Sequence, residues 1–400
     1  MKKMKKLYQL TTLLIALLIS HSISAQQWNN VGNAGFSAGT TDDNDMAIDG
    51  NDTPYVVYQD NVNSNKATVM KFNGSAWETV GSAGFSSSSV SYTSIAINSS
   101  GTPYVVYQDY TSTYKATVMK FNGTTWVTVG NAGFSAGTVS STRIAISSSG
   151  TPYVFYKDYG NSQKATVMKF NGTAWETVGS AGFSAGTAND IDIAINSSGT
   201  PYVVYRDGGN SSKATVMKFN GTAWETVGSV GFSADQAHFN NIVINSSDIP
   251  YVVYQDYGNS FKATVMKFNG TTWETVGSAG FSTGSSYYTS IAINSSDIPY
   301  MGYSNSNNSF KASVMKFNGT AWETVGNTGF SAGGTYYNSI VINSSDELYV
   351  GYRDGGNSDK ATVMKYGTSN PSIPLSDWAL YSGIFLIIGF VVIRYLKDMV

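Results

Sequence analysis

A tryptophan recurs every 49 residues through most of this 400-residue chain, and no insertion or deletion interrupts the spacing. The positions are Trp28, Trp77, Trp126, Trp175, Trp224, Trp273 and Trp322. The text around each is nearly constant: W-E-T-V-G-S-A-G-F-S follows it, and P-Y-V-V-Y-Q-D and K-A-T-V-M-K-F-N-G come before the next one. A fixed period of this length indicates one array of similar structural units, rather than the two or three domains that about 400 residues would otherwise suggest.

Each unit contains four candidate strands that are rich in Val, Ile, Tyr, Thr and Phe. In the unit that ends at Trp126 we predict strand a at residues 94–98, strand b at 104–109, strand c at 115–121 and strand d at 126–129. Asn122-Gly123 is the dipeptide that a type I′ hairpin turn prefers, and Pro103 begins strand b, where its missing N–H is tolerated. No segment of the unit has a helical period. Four antiparallel strands per repeat predict the blade of a β-propeller.

The two ends of the array are complementary. The chain enters at Trp28 with strand d alone, and the last unit has strands a to c, at 339–343, 349–354 and 360–366, but no tryptophan after them. We therefore predict an all-β fold: a seven-bladed β-propeller of four-stranded antiparallel blades, in which the N-terminal strand completes the last blade. An open β-solenoid is the alternative, but it would need capping units that the repeats do not supply.

The constant residues have structural interpretations. Tyr104 and Tyr107 lie three apart on strand b, so we expect them to point to opposite faces of the blade and to pack on different neighbours. Asp109 and Lys115 flank the loop between strands b and c, and we expect them to form an ion pair. Phe134, with the glycines before it, is expected to shape the connection to the next blade.

Alternating strand direction places the b–c loop and the d–a connection on one rim, where almost all variation between repeats falls. This rim is rich in Tyr, Asn, Ser and Gly, a composition that suits a sugar or a protein ligand, although these are also common loop residues. The candidate ligand-binding residues are Tyr92, Arg143, His238, Phe239, Tyr287, Tyr288, Tyr336 and Tyr337.

The composition disfavours several functions. Charged residues make up 12% of the chain, the net charge is −2 and no basic cluster occurs, so nucleic acid is not an expected partner. The chain has no cysteine, and His238 is the only histidine beyond the N-terminal segment. We predict no cofactor.

Weak candidates for calcium ligands are Asp42, Asp43 and Asp45, with Asp190 and Asp192 further on. Their spacing matches no known motif, and a solvated acidic loop is the favoured interpretation.

The blade text from Trp28 to Tyr366 resembles propellers of the fucose-lectin and sialidase-like superfamilies, although the sialidase Asp-box S-x-D-x-G-x-T-W is absent and F-N-G-T-x-W is only similar to it. The resemblance implies glycan recognition, or glycoside hydrolysis as the alternative.

A sialidase-like enzyme needs a cluster of arginines, and Arg143, Arg206 and Arg353 are expected near the variable rim. The glutamates, however, fall mainly on strand d at the outer edge of the blades. We therefore favour a non-catalytic recognition or adhesion protein; a structural repeat protein without a specific ligand is a third possibility.

The N-terminal segment has the features of an export signal. Basic residues lead, an apolar stretch spans residues 13–19, and small residues end at Ala25. We predict a signal peptide at residues 1–25, the propeller at 26–366 and a linker at 367–374.

The C-terminal segment, residues 375–400, is predicted to form a transmembrane helix: an apolar run at 380–393 ends at Arg394 and Lys397. The motif I-P-L-S-D-W before it is similar to the bacterial sorting tails of the IPTL-CTERM and PEP-CTERM kind. This resemblance implies an exported protein in the bacterial envelope, displayed at the cell surface or anchored in the membrane and facing outward. Its expected partners are a glycan or a surface protein, and the chain itself is expected to be monomeric.

Overall fold

The structure, a computed structural model, describes residues 26–368. Within them, Trp28–Tyr366 forms one compact unit. The predicted signal peptide, most of the predicted linker and the predicted membrane tail lie outside the described residues and stay predictions. In the described part of the chain, no helix is long and apolar enough to cross a membrane.

The described chain folds into seven four-stranded sheets, each of which is one blade. The innermost strands (strand a) are β2 (Thr41–Ile48), β6 (Val90–Ile97), β10 (Val139–Ile146), β14 (Ala188–Ile195), β18 (Ala237–Ile244), β22 (Ser286–Ile293) and β26 (Thr335–Ile342). The second strands (strand b) are β3 (Pro54–Asp60), β7 (Pro103–Asp109), β11 (Pro152–Asp158), β15 (Pro201–Asp207), β19 (Pro250–Asp256), β23 (Pro299–Asn305) and β27 (Leu348–Asp354).

The third strands (strand c) are β4 (Lys66–Phe72), β8 (Lys115–Phe121), β12 (Lys164–Phe170), β16 (Lys213–Phe219), β20 (Lys262–Phe268), β24 (Lys311–Phe317) and β28 (Lys360–Thr368). The outer strands (strand d) are β5 (Trp77–Thr79), β9 (Trp126–Thr128), β13 (Trp175–Thr177), β17 (Trp224–Thr226), β21 (Trp273–Thr275), β25 (Trp322–Thr324) and β1 (Gln26–Asn30). Short 3₁₀ helices occupy six b–c loops, at Asn61–Asn63, Tyr159–Asn161, Gly208–Asn210, Tyr257–Asn259, Ser306–Asn308 and Gly355–Asn357.

The two ends of the array meet in the seventh blade, as predicted. The N-terminal strand β1 lies beside β28 in a sheet ordered β1-β28-β27-β26. Beyond β1 the chain continues along β28, since the N–H of Val31 donates to the carbonyl oxygen of Val363 at 2.9 Å. The innermost strands of neighbouring blades contact each other all round the ring, including β2 with β26. The fold is therefore a closed propeller, and strand a of each blade faces its axis.

The repeated tryptophan joins each blade to the one before it. Trp175 stacks on Phe134 of the preceding connection, with ring centroids 4.2 Å apart. Its indole N–H donates to the carbonyl oxygen of Val129 at 2.7 Å. Gly130 has a φ of +70°, and a Cβ there would meet Trp175 Cδ1 at 3.0 Å. This explains the constant V-G-x-x-G-F text, because only glycine has both the backbone conformation and the space.

The apolar core lies between blades, and the two tyrosines of strand b serve different interfaces. Tyr107 packs in a cluster with Tyr55 of the preceding blade. Tyr104 packs in another cluster with Tyr156 of the following blade. The prediction that they point to opposite faces is confirmed.

The predicted ion pair between Asp109 and Lys115 is wrong. Within residues 26–368 no ion pair joins the two side chains. Asp109 is 1% exposed and accepts hydrogen bonds from the N–H of Thr111 and the hydroxyl of Thr117, both at 3.0 Å. The carboxylate holds the b–c loop because buried main-chain donors need acceptors there.

The boundaries of strand a also differ from the prediction. In the second blade it begins at Val90, four residues before the predicted start, and strand d ends at Thr128. The pairing of β6 with β7 shifts between Ser91 and Ser94, so the intervening residues form a β-bulge. The segment interpreted as a variable loop is therefore part of the strand that faces the axis.

Candidate functional site

The β-bulge recurs in all seven blades at the same point of strand a. Its central residue has φ between 46° and 55° in each blade: Asp43, Tyr92, Ser141, Asp190, Phe239, Tyr288 and Tyr337. This left-handed conformation costs an ordinary residue roughly 1–2 kcal/mol. The conformation is retained with Asp, Tyr, Ser or Phe at this position, so the backbone is set by the repeat, whereas the side chain varies.

The bulge residues surround a cavity of about 440 Å³ on the propeller axis. A second ring of side chains, two positions further along each strand, completes its wall: Asp45, Ser94, Arg143, Asp192, Asn241, Ser290 and Ser339. Every blade contributes to both rings, so the cavity is one asymmetric site built on a regular scaffold.

The second ring also ties the inner strands together. Asp45 Oδ2 accepts the N–H of Ile95 in the next blade at 3.0 Å. Asp192 Oδ2 accepts the N–H of Ile242 at 2.9 Å, and Asn241 Oδ1 accepts that of Ile291 at 2.8 Å in the same way. These side chains therefore stabilise the contact between neighbouring blades, because a buried N–H without an acceptor would be costly.

One part of the wall is charged. Asp43, Asp45, Asp190 and Asp192 line the cavity together with Arg143. Burial raises the pKa of Asp192 to about 6, against the opposing effect of Arg143. Burial also raises the pKa of Asp43, although the N–H of Tyr92 opposes this.

Another part of the wall is aromatic and comes from three consecutive blades. The Tyr288 ring centroid lies 5.1 Å from that of Phe239 and 5.4 Å from that of Tyr337. Outside the cavity lining, Tyr336 packs edge-to-face against Tyr288 with centroids 5.8 Å apart, and the guanidinium of Arg353 lies 5.3 Å from the Tyr336 centroid. The site thus presents ring faces beside carboxylates and amides.

Five of the predicted ligand-binding residues line the cavity: Tyr92, Arg143, Phe239, Tyr288 and Tyr337. The other three, His238, Tyr287 and Tyr336, each precede a bulge residue and are not part of the lining. Tyr287 packs instead against Phe310, with centroids 5.5 Å apart. The prediction placed Arg143 near the rim, at the start of strand a, and the other seven on rim loops. All eight lie on the innermost strands, because strand a begins four residues earlier than its pattern showed.

Of the weak calcium candidates, Asp43 and Asp45 line the cavity, whereas Asp42 forms an ion pair with Arg353. Residues 26–368 contain no group of three or more side chains that could hold a metal ion.

Carboxylates lie both at the outer edge of the blades and at the axis. Glutamates do lie at the outer edge, as in the 3.2 Å ion pair of Lys169 with Glu176. Asp190 and Asp192, interpreted from the sequence as part of a solvated acidic loop, line the cavity at the axis. Their signal was positional, because each lies a multiple of 49 residues from Asp43 or Asp45.

No known protein family and no curated protein matches the chain. Among solved structures it is similar to a mutant of the Aleuria aurantia lectin in complex with alpha-methyl-L-fucoside: 16% identity over 73% of this chain and 96% of the lectin, with a TM-score of 0.50. It is also similar to the alpha-L-arabinanase of Penicillium chrysogenum complexed with arabinobiose: 11% identity over 70% of this chain and 94% of the enzyme, with a TM-score of 0.46. At 16% identity the likeness to the lectin shows a similarity of fold alone.

Proposed function

We propose that this protein is a non-catalytic recognition propeller that binds a glycan in the axial cavity, displayed at the cell surface by its predicted terminal segments. The observation that carries the proposal is where the repeats differ. The framework of each blade is nearly constant, yet the bulge residue is different in chemistry around the ring, as in Asp43, Ser141 and Phe239. Variation on a constant framework is typical of recognition.

The chemistry of the wall supports a saccharide. A cavity of about 440 Å³ falls within the range of small-molecule sites and is too small for a protein surface. Tyr288 and Tyr337 offer ring faces to the apolar side of a sugar, while Asn240 and Asp43 offer hydrogen-bonding groups to its hydroxyls.

The test is a glycan array probed with the purified protein, followed by titration with the best ligand. Tyr288→Ala should weaken binding at least about tenfold, as expected when a central aromatic contact is truncated. Tyr159→Ala is the matched control, since Tyr159 is an exposed tyrosine of a b–c loop that does not line the cavity. If Tyr159→Ala loses binding and Tyr288→Ala does not, the glycan binds at the b–c loops and not in the axial cavity. Silence across the array, with binding to a cell-surface protein instead, would favour protein adhesion.

A second candidate is a glycoside hydrolase. The observation that favours it is Asp192, whose pKa of about 6 would let it donate a proton, and which lines the cavity together with other carboxylates, as glycosidases require. Against it, Asp192 and Asp45 are held by inter-blade hydrogen bonds, and Asn241 fills the same role in another blade. Turnover of aryl glycosides by the wild type, lost in Asp192→Asn while binding persists, would establish the enzyme.

A further inference from the structure

The charges around the axial cavity are unequal. Asp43, Asp45, Asp190 and Asp192 line it against the single guanidinium of Arg143. The wall of the proposed glycan site is therefore strongly negative when its carboxylates are ionised.

Only part of this charge is neutralised nearby. Arg206 lies behind the wall, and its Nε is 2.7 Å from Asp190 Oδ2. Arg143 Nε is 3.9 Å from Asp192 Oδ1, which is beyond hydrogen-bond length. Asp43 accepts the N–H of Tyr92 at 2.6 Å but has no cationic partner within ion-pair distance among residues 26–368.

Asp192 is the most deeply placed of the four. It is 8% exposed, and its only ion-pair contact among the described residues is that long one with Arg143. A buried carboxylate without a close cation is unfavourable, so a positive ligand group beside it would relieve the cost. Burial accordingly raises its pKa.

The aromatic wall also favours a positively charged ligand group. Phe239, Tyr288 and Tyr337 present rings from three consecutive blades to the cavity. The face of an aromatic ring is electronegative and attracts ammonium groups within about 6 Å of its centroid. A neutral sugar would use the rings but not the charge, and an anionic sugar such as a sialoside would be repelled by the carboxylates.

We propose that the ligand of the axial cavity carries a protonated amine, as in an amino sugar whose nitrogen is free. This inference rests on the proposed function and narrows it. The ammonium group lies at the carboxylate of Asp43, and the sugar ring packs against Tyr288 and Tyr337, which line the same cavity. Asp192 adds to the negative charge of the wall.

The experiment compares three trisaccharides by calorimetric titration of the full-length protein at pH 6.5: a chitosan trimer with free amines, the acetylated chitin trimer and the cellulose trimer. The chitosan trimer should bind at least tenfold more tightly than the other two. Its affinity should fall as NaCl rises from 50 to 500 mM, because screening weakens attraction between charges.

Asp43→Asn tests the carboxylate. Asparagine can still accept the N–H of Tyr92 and tolerates the positive φ at this position. It should lower affinity for the chitosan trimer about tenfold and lower any weak affinity for the acetylated trimer by a smaller factor, because Asp43 also accepts hydrogen bonds from sugar hydroxyls. Asp248→Asn is the control: it removes the same charge from an a–b turn outside the cavity lining.

Equal affinity for the free and acetylated trimers, or an unchanged chitosan affinity in Asp43→Asn, would overturn the inference. So would silence with all three probes. In each case the proposed function still stands if the array shows a glycan whose binding Tyr288→Ala abolishes. Should Asp43→Asn fail to fold, the acetylation and salt comparisons on the wild type decide the question alone.

Discussion

The indole N–H of Trp28 donates a 2.9 Å hydrogen bond to the carbonyl oxygen of Val325, which lies 297 residues later in the chain. Elsewhere the tryptophan bonds to a residue that precedes it by 46 positions, as Trp175 does to Val129. Trp28 also stacks on Phe330, with centroids 4.0 Å apart. The contact that joins successive blades is thus the same contact that joins the chain ends and closes the ring.

Replacing Trp28 with alanine should therefore do more harm than the same change at Trp175. Both variants lose a stacked indole and its hydrogen bond, at a cost of roughly 3–5 kcal/mol in the free energy of unfolding. Trp28→Ala should in addition loosen β1 from β28 and expose an unpaired strand edge, which favours association with other molecules. Urea denaturation and size-exclusion chromatography measure the two effects. If both variants unfold and elute alike, β1 does not carry the closure.

A second set of inter-blade contacts is present at only some junctions. Asp248 lies in an a–b turn with a φ of +60° and accepts the N–H and the hydroxyl of Ser197 in the preceding blade, at 2.9 and 2.8 Å. Asp52 makes the same pair of bonds to Ser344 across the ring closure. Other blades have glycine at the turn position, as at Gly150.

Installing the missing aspartate should stabilise a junction where the serine is already present. Gly150→Asp places the carboxylate opposite Ser99, the counterpart of Ser197. Gly150 has a φ of +83°, and a Cβ added there would meet no other atom within 4 Å. The left-handed conformation costs roughly 1–2 kcal/mol, and two hydrogen bonds to a charged acceptor contribute about 1.5–3 kcal/mol each. We expect a net gain of about 1 kcal/mol or more, seen as a higher melting temperature.

Gly101→Asp is the matched control, because the residue opposite it is Gly50, which has no hydroxyl. It should gain less than Gly150→Asp or lose stability. Equal shifts in the two variants would mean that the serine hydroxyl contributes nothing to the contact.

The architecture could be predicted from the sequence because its signals are local and repeated. The 49-residue spacing, the Asn-Gly turns and the complementary first and last units together predicted a closed ring, with an open β-solenoid as the alternative. The bulge could not be predicted, since nothing in the preferences of Tyr92 or Tyr288 favours a left-handed backbone. The conformation recurs at the same point of all seven blades whatever the side chain, so it belongs to the repeated fold. Five of the eight predicted site residues therefore line the cavity from a strand rather than from a loop. Asp109 was misjudged for a similar reason: its partners are loop donors that only the folded loop brings together.

The raised pKa of Asp192 predicts how stability depends on pH. Burial raises this pKa from 3.8 to about 6, with Arg143 opposing and Asp45 adding to the shift. The folded protein therefore holds this proton more tightly than the unfolded chain does, and protonation stabilises the fold. That contribution is complete below about pH 4 and is lost as the pH rises through about 6, amounting to at most about 3 kcal/mol.

Asp192→Asn is neutral at every pH and can still accept the N–H of Ile242. Its free energy of unfolding, measured by urea denaturation from pH 4 to pH 7, should rise relative to the wild type across this interval. A difference in free energy of unfolding that stays constant with pH would contradict the raised pKa. It would mean that the carboxylate of Asp192 ionises as easily in the folded protein as in the unfolded chain, as it would if water reached it through the cavity.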